Sequence, residues 1–240
     1  MKRKSKKTAR PQLKWTFILL LIGVSAYYTI DHFNKPTGDS VELGELPEGF
    51  YSHGIDISHY QDDIDWAVLS KLLDSTISFV YCKSTEGVSY VDPAWKENRN
   101  QLTQLNVKHG AYHFFLPSMN APQQAKHFLK HYSFREGDLP PVLDAETEGA
   151  TDKILIQGMK SWLKLVERKT GVRPVIYTSY HFYKTKFRGK FDDYEFWIAS
   201  YNSNEKRLSD DCIIHWQYTD LGIVQGINGF VDLNFSKNRR

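Results

Sequence analysis

From Phe50 onward the chain alternates short β-rich runs with stretches of helical period, and no other feature constrains the fold as tightly. Strand runs read at 54–58, 79–84, 110–115, 141–146, 175–179, 196–201, 213–218 and 230–234. Helical patterns lie between the early ones, at 64–73, 93–105, 122–132 and 152–169. Pro93 and Pro122 fit a first helical turn, where a missing N–H costs nothing, and Gly171 fits a C-terminal cap. Eight strands, at least four of them followed by helices, predict an α/β fold: a closed, TIM-like β/α barrel. After about residue 190 the spacers shorten and lose helical period, so loops or hairpins should join the last three strands into an irregular barrel. A doubly wound open sheet is the competitor, but no glycine-rich phosphate loop follows the first strand.

The first 48 residues read as an address rather than a fold. Lys2, Arg3, Lys4, Lys6, Lys7, Arg10 and Lys14 precede an apolar run over 15–30. Cations ahead of a hydrophobic segment keep that end in the cytoplasm and send the downstream chain across the membrane. Residues 1–14 are therefore expected to be a cytoplasmic basic segment and 15–30 a signal anchor or signal peptide. Residues 31–48, with Pro36, Gly38, Gly44 and Pro47, form a linker, and 49–240 form the barrel. Either form of the address puts the barrel outside the cytoplasm, tethered or exported.

Charge sharpens the division. Residues 1–40 carry eight Lys/Arg and two Asp/Glu, whereas the whole chain is only +3, leaving residues 41–240 near −3. A mildly acidic folded part argues against nucleic acid as partner, since phosphate binding needs clustered cations. Two cysteines exclude a disulfide scaffold and any Cys-rich metal site. Cys82 and Cys212 fall on strands too far apart to bridge, and both should remain thiols. His127 and His131 have metal-ligand spacing on a helix but lack the accompanying carboxylate. Asp62, Asp63 and Asp65 resemble part of a calcium loop without its glycine and distal glutamate, and read as helix-start charges. His59, His113 and His215 flank strands, where core or rim histidines are the usual case. No metal and no cofactor is expected.

Acidic residues recur where barrel strands end: Asp56 in Gly-Ile-Asp-Ile-Ser, Asp144 and Glu146 in Pro-Val-Leu-Asp-Ala-Glu, and Asp232 in Phe-Val-Asp-Leu-Asn. Strand side chains alternate, so Asp144 and Glu146 should face one way and Ala145 the other. Two neighbouring carboxylates after an apolar run are costly unless paired, solvated or functional. Repulsion and partial burial should split their pKa values, leaving one protonated and one ionised. Glycoside hydrolysis requires that arrangement; a metal site or a structural pair are the alternatives from spacing alone.

Taken in order, the segments 54–61 (GIDISHYQ), 79–87 (FVYCKSTEG), 110–115 (GAYHFF), 143–146 (LDAE), 176–178 (IYT), 197–201 (WIASY), 215–219 (HWQYT) and 226–234 (GINGFVDLN) resemble glycoside hydrolase family 25 lysozymes. These are N-acetylmuramidases, and the likeness covers almost all of residues 50–236. The resemblance implies five β/α units followed by three further strands. It also implies cleavage of the β-1,4 bond between N-acetylmuramic acid and N-acetylglucosamine in peptidoglycan glycan strands. By the same resemblance Glu146 is the general acid, Asp144 its partner, and Asp56 and Asp232 the two other active-site acids. Net retention is expected, assisted by the substrate's 2-acetamido group; attack by Asp144 to give a glycosyl-enzyme is the other route.

Aromatic side chains suit sugar faces, and Tyr112, Tyr177 and Trp197, followed by Phe114 and Trp216, are the candidates to line the groove. Lys83 ends an apolar strand and could meet an acidic glycan or peptide group there, or form a strand-end ion pair. The expected protein is a monomer that meets the membrane only through its N-terminal segment. Its rivals are a glycan-binding module without catalysis and a glycosidase acting on chitin-like chains.

Overall fold

The computed structural model describes residues 43–149, 151–201 and 208–238. Residues 1–42, which carry the expected basic segment, the anchor and most of the linker, lie outside them. Among the described residues no helix is long and apolar enough to cross a membrane.

Nine strands form one sheet: β1 (Ser52–Ile57), β2 (Phe79–Glu86), β3 (Tyr90–Val91), β4 (His109–Phe114), β5 (Val142–Asp144), β6 (Val175–Ser179), β7 (Phe196–Ala199), β8 (Ile213–Gly222) and β9 (Val231–Ser236). Their order is β1-β9-β8-β7-β6-β5-β4-β2-β3, and a parallel pairing of β1 with β2 closes the ring. Eight strands make the barrel, while β3 is a short hairpin arm on β2. Closure excludes the open doubly wound sheet. The principal helices are α1 (Trp66–Leu69), α2 (Trp95–Gln104), α3 (Ala121–His131) and α4 (Asp152–Thr170). A short helical segment from Tyr180 to Phe187 completes the fifth β/α unit after β6. β7, β8 and β9 then follow without long helices, matching the expected five-plus-three plan.

Local chemistry sets the boundaries. Asp65 caps α1 by accepting from the Val68 amide, Asn120 caps α3 and Thr151 caps α4. Gly171, at φ 75°, closes α4 in the left-handed region that a side chain would disfavour. α2 begins two residues after Pro93, so that proline precedes the helix instead of sitting in its first turn.

Strand alternation separates two apolar layers. Outward residues such as Ile55, Ala111, Leu143 and Ile198 belong to the layer between the sheet and the helices. Inward residues Phe79, Tyr81, Val142, Val175, Trp197 and Ile214 fill the barrel interior. Gly54 and Gly110 make room there: a Cβ at either would come within 2.3–2.4 Å of the Phe79 or Tyr81 ring. Among the described residues no helix covers the β8–β9 side. Part of the expected linker and the first residues after it lie against it instead: the Gly44 amide donates to the Tyr218 hydroxyl, and Phe50 packs on Trp216 and Phe235. Contacts with the barrel therefore begin by Leu43, ahead of the boundary expected at residue 49.

Candidate active site

The strand directions bring the acids together. β9 is antiparallel to both β1 and β8, whereas every other barrel pairing is parallel. Asp232 is therefore at the start of its strand, not at its end as a parallel reading expects, and the reversal carries it to the same mouth. In the antiparallel register Asp232 lies directly opposite Asp56. β5, with Asp144 as its last residue, is four strands from β9 in either direction around the ring. Asp56, Asp232, Asp144 and Glu146 all line one cavity of about 530 Å³ at this mouth.

Asp56 is held by a cradle of amides. Its Oδ2 accepts from Asn234 Nδ2 at 2.8 Å and from Gln217 Nε2 at 3.1 Å. The Asn234 Oδ1 accepts from the Trp197 indole N–H at 2.8 Å. The Gln217 Oε1 accepts from the hydroxyls of Tyr177 and Tyr201, each at 2.8 Å. Burial pushes Asp56 up to about 6, while its hydrogen bonds from Asn234, Gln217 and Asp232 pull it back. Asp232 rises further, to about 9, through burial and then the charge of Asp56 beside it. Near neutral pH, Asp232 thus keeps its proton and Asp56 is largely ionised.

Asp144 and Glu146 form a second, less supported group. Asp144 is buried, and its Oδ1 has no hydrogen-bond partner among the described residues. Burial raises it well above the usual carboxylate range; the Glu146 charge adds to this, and Lys83 opposes it. Glu146 follows the strand and reaches solvent at the mouth. It too is raised, by burial first and then by Asp56, with a Tyr177 hydrogen bond acting the other way. The intervening Ala145 is buried in the outer layer, as alternation predicts.

Lys83 lines the cavity and also pairs with Glu86 at 2.7 Å, combining the two readings of the sequence. Its ammonium is 5.0 Å from the centre of the Phe114 ring. Tyr112, Phe114, Tyr177 and Trp197 line the same cavity. Trp197 is only 1% exposed and packs edge-on to Tyr177, so it forms the floor more than a stacking wall. Trp216 does not belong to the cavity. The β7–β8 register pairs it with outward Ile198, and it packs on Phe50 and Phe235 while donating to the Ser200 carbonyl. Its neighbour Gln217 takes the inward position. Gln217, Asn234 and Tyr201 are the site residues that the sequence reading passed over. Polar residues two apart, His215/Gln217 and Asp232/Asn234, were the available signal.

The other motifs resolve as packing. His127 Nε2 donates to the Tyr90 carbonyl at 2.8 Å, and the His131 ring lies edge-on against the His127 ring. His59 pairs with Asp92 at 2.7 Å. Burial lowers His113 and His215 to about 3, so both rings are neutral. Cys82 is buried and Cys212 half-buried, and both are free. Among the described residues no cluster of three His, Cys, Asp or Glu could hold a metal.

A closed β/α barrel with four carboxylates at one mouth, split into a protonated–ionised pair and a second raised pair, has the apparatus of a glycoside hydrolase. Comparison with known proteins narrows this. The family model for glycosyl hydrolases family 25 matches residues 55–227. An uncharacterized protein, YegX, of Escherichia coli O157:H7 is 41% identical over 194 residues, covering 79% of this chain and 71% of its own. Lysozyme M1 of Streptomyces globisporus is 30% identical over 197 residues, covering 75% and 66%. Among solved structures, a family 25 glycosyl hydrolase from Bacillus anthracis superposes with a TM-score of 0.73 at 23% identity, covering 85% of this chain and 96% of that one. The chain belongs to glycosyl hydrolases family 25 and is a glycoside hydrolase.

Proposed function

We propose that this enzyme hydrolyses peptidoglycan at the β-1,4 bond between N-acetylmuramic acid and N-acetylglucosamine, with Glu146 as general acid and base. The observation that carries this reading is the pair Asp144 and Glu146, set two residues apart at the end of β5, in a cavity shared with Asp56 and Asp232. Similarity to a lysozyme supports the substrate.

A muramic acid residue with its anomeric carbon beside Asp144 develops positive charge as the glycosidic bond lengthens. That charge favours the ionised form of Asp144, so the proton available at the end of β5 belongs to Glu146 and passes to the leaving oxygen. The substrate's own 2-acetamido oxygen then closes on the anomeric carbon, giving an oxazolinium ion that Asp144 steadies. Glu146, now ionised, deprotonates the water that opens this ring, and two inversions give net retention. Tyr112, Tyr177 and Phe114 supply the apolar and hydroxyl surface against which the sugars lie, and Lys83 faces their acidic groups.

We assign the enzyme to the outside of the cytoplasm, as a monomer held to the membrane by the apolar run at 15–30 behind its basic segment. The decisive experiment is mass analysis of a peptidoglycan digest. New reducing ends on muramic acid are expected. New ends on glucosamine, release of no ends, or equal rates on chitin oligomers would each overturn the assignment.

A further inference from the structure

The small net charge of residues 41–240 conceals a polarised surface. Residues 121–190 carry thirteen Lys/Arg against seven Asp/Glu, a net of +6, so the rest of 41–240 sits near −9. The excess is concentrated on two neighbouring helices: α3 and α4 together hold seven exposed cations against two acids. Both acids are engaged by cations from elsewhere, Asp152 by Lys186 at 2.8 Å and Glu167 by Arg173 at 3.1 Å. None of the seven cations is ion-paired among the described residues. Helical period makes a ridge of four of them. Lys153, Lys160, Lys164 and Arg168 share one face of α4, opposite the buried Leu155, Met159, Trp162 and Val166. At 1.5 Å per residue the ridge is about 22 Å long. Lys160, Lys164 and Arg168 stand four apart, where like charges destabilise a helix unless a counter-charge comes from outside. Lys126 and Lys130 repeat that spacing on α3, and with Lys169 they line a groove of about 520 Å³ beside Leu129, Phe134 and Leu165.

The direction of α4 connects this ridge to the cleft. β5 and β6 are parallel, so the helix between them runs back from the mouth, with Lys153 at the mouth end and Arg168 at the far end. A mesh that feeds a strand into the cleft therefore passes the first turn of α4. Peptidoglycan is such a mesh, and its peptides carry free carboxylates at intervals on a lattice too large to enter the cleft. A ridge of spaced, unpaired cations is complementary to anions offered in succession. We propose that the α3–α4 face is a second, non-catalytic contact with the wall, where the ridge cations hold peptide carboxylates of the mesh beside the strand being cut. The inference rests on peptidoglycan as the substrate.

The test compares the full chain in neutral detergent with two triple variants. The ridge variant combines Lys160→Gln, Lys164→Gln and Arg168→Gln, since glutamine is a comparable helix former. The control removes the same charge outside this face, by Lys71→Gln, Lys96→Gln and Lys108→Gln, at positions that are also exposed. In cosedimentation with insoluble peptidoglycan at low salt, affinity should fall about tenfold in the ridge variant and less than about twofold in the control, and the gap should close at about 0.5 M salt. On a wall whose carboxylates have been chemically amidated, the parent and the ridge variant should bind alike. Their kcat/KM on a soluble, peptide-free glycan oligosaccharide should be equal, because that substrate ends within the cleft. An equal loss in the control, an equal loss on the amidated wall, or unchanged wall binding in the ridge variant would each overturn the proposal. In the last case, ridge-dependent binding to phosphatidylglycerol micelles would give the face to lipid. If the parent fails to cleave the peptide-free oligosaccharide, the substrate reading fails, while the wall-binding comparison still decides the surface.

Discussion

The two carboxylate pairs at the mouth are built on opposite plans. Asp56 and Asp232 come from adjacent antiparallel strands 176 residues apart in the chain; Asn234 and Gln217 hold Asp56, with Trp197, Tyr177 and Tyr201 behind them, and Asp232 bonds to Asp56. Asp144 and Glu146 come from one strand end, and the buried Oδ1 of Asp144 has no protein donor among the described residues. Asp56 is satisfied by the fold; Asp144 and Glu146 are relieved only in part, by Lys83 at the first and Tyr177 at the second. Protein groups that must change charge in a reaction gain nothing from being locked, whereas groups that set the field gain from rigidity. The difference is what the proposed division of labour expects, with proton transfer at the end of β5 and support from β1 and β9.

That contrast can be broken most directly at Glu146. Glu146→Gln should lower turnover by about 10²–10⁴-fold while leaving glycan binding intact, measured as reducing-end release against pull-down on insoluble peptidoglycan. Asp144→Asn should also abolish most turnover, and neither change should cost much stability because neither breaks a built network. The supported pair should behave the other way. Asp56→Asn can keep its oxygen toward Asn234 and Gln217 but turns an amide donor toward the protonated Asp232 and removes the charge its donors stabilise, and it should cost about 1–3 kcal/mol in denaturant unfolding, in addition to lost activity.

A smaller effect separates Asp232 from its partner. In the fold Asp232 holds its proton up to about pH 9, whereas the unfolded chain releases it near 3.8. Between those limits the folded state binds more protons, so stability is greatest at the acid end and declines as pH rises. Asp232→Asn should remove the part of that decline above pH 6 in thermal unfolding scans, leaving the part due to Asp56. The smallest expected change is Trp197→Phe, which deletes the donor that orients Asn234 and should cost about 1 kcal/mol or less beyond the lost ring area. A larger loss in Trp197→Phe than in Asp56→Asn would show that the cradle serves packing more than charge.

Much of the architecture was legible in the chain. Short β-rich runs located all eight barrel strands, and the run at 175–179 coincides with β6. Asp56, Asp144 and Glu146 stand out because an apolar strand rarely ends in a carboxylate that has neither a partner nor a chemical use. The direction of β9 was not legible, because alternation is the same whichever way a strand runs, and direction is set by the short return from β8. The identity of the inward face at β8 was equally hidden. His215-Trp216-Gln217 puts Trp216 on one side and Gln217 on the other, and sugar chemistry alone favours the aromatic. The register with Trp197 and Ile198 decides for the amide. The hydrogen-bond belt joining residues 56, 177, 217 and 234 exists only once the ring has closed.

The reversal of β9 has a practical corollary. Ser236 pairs with Ser52, so the last strand finishes where the first begins, at the pole opposite the carboxylates. A bead, an affinity handle or a lipid anchor fixed near either of these points would leave the cleft facing outward. That orientation suits a catalyst whose target is a rigid mesh too large to diffuse to it, since the enzyme can be immobilised without turning its cutting edge toward the support.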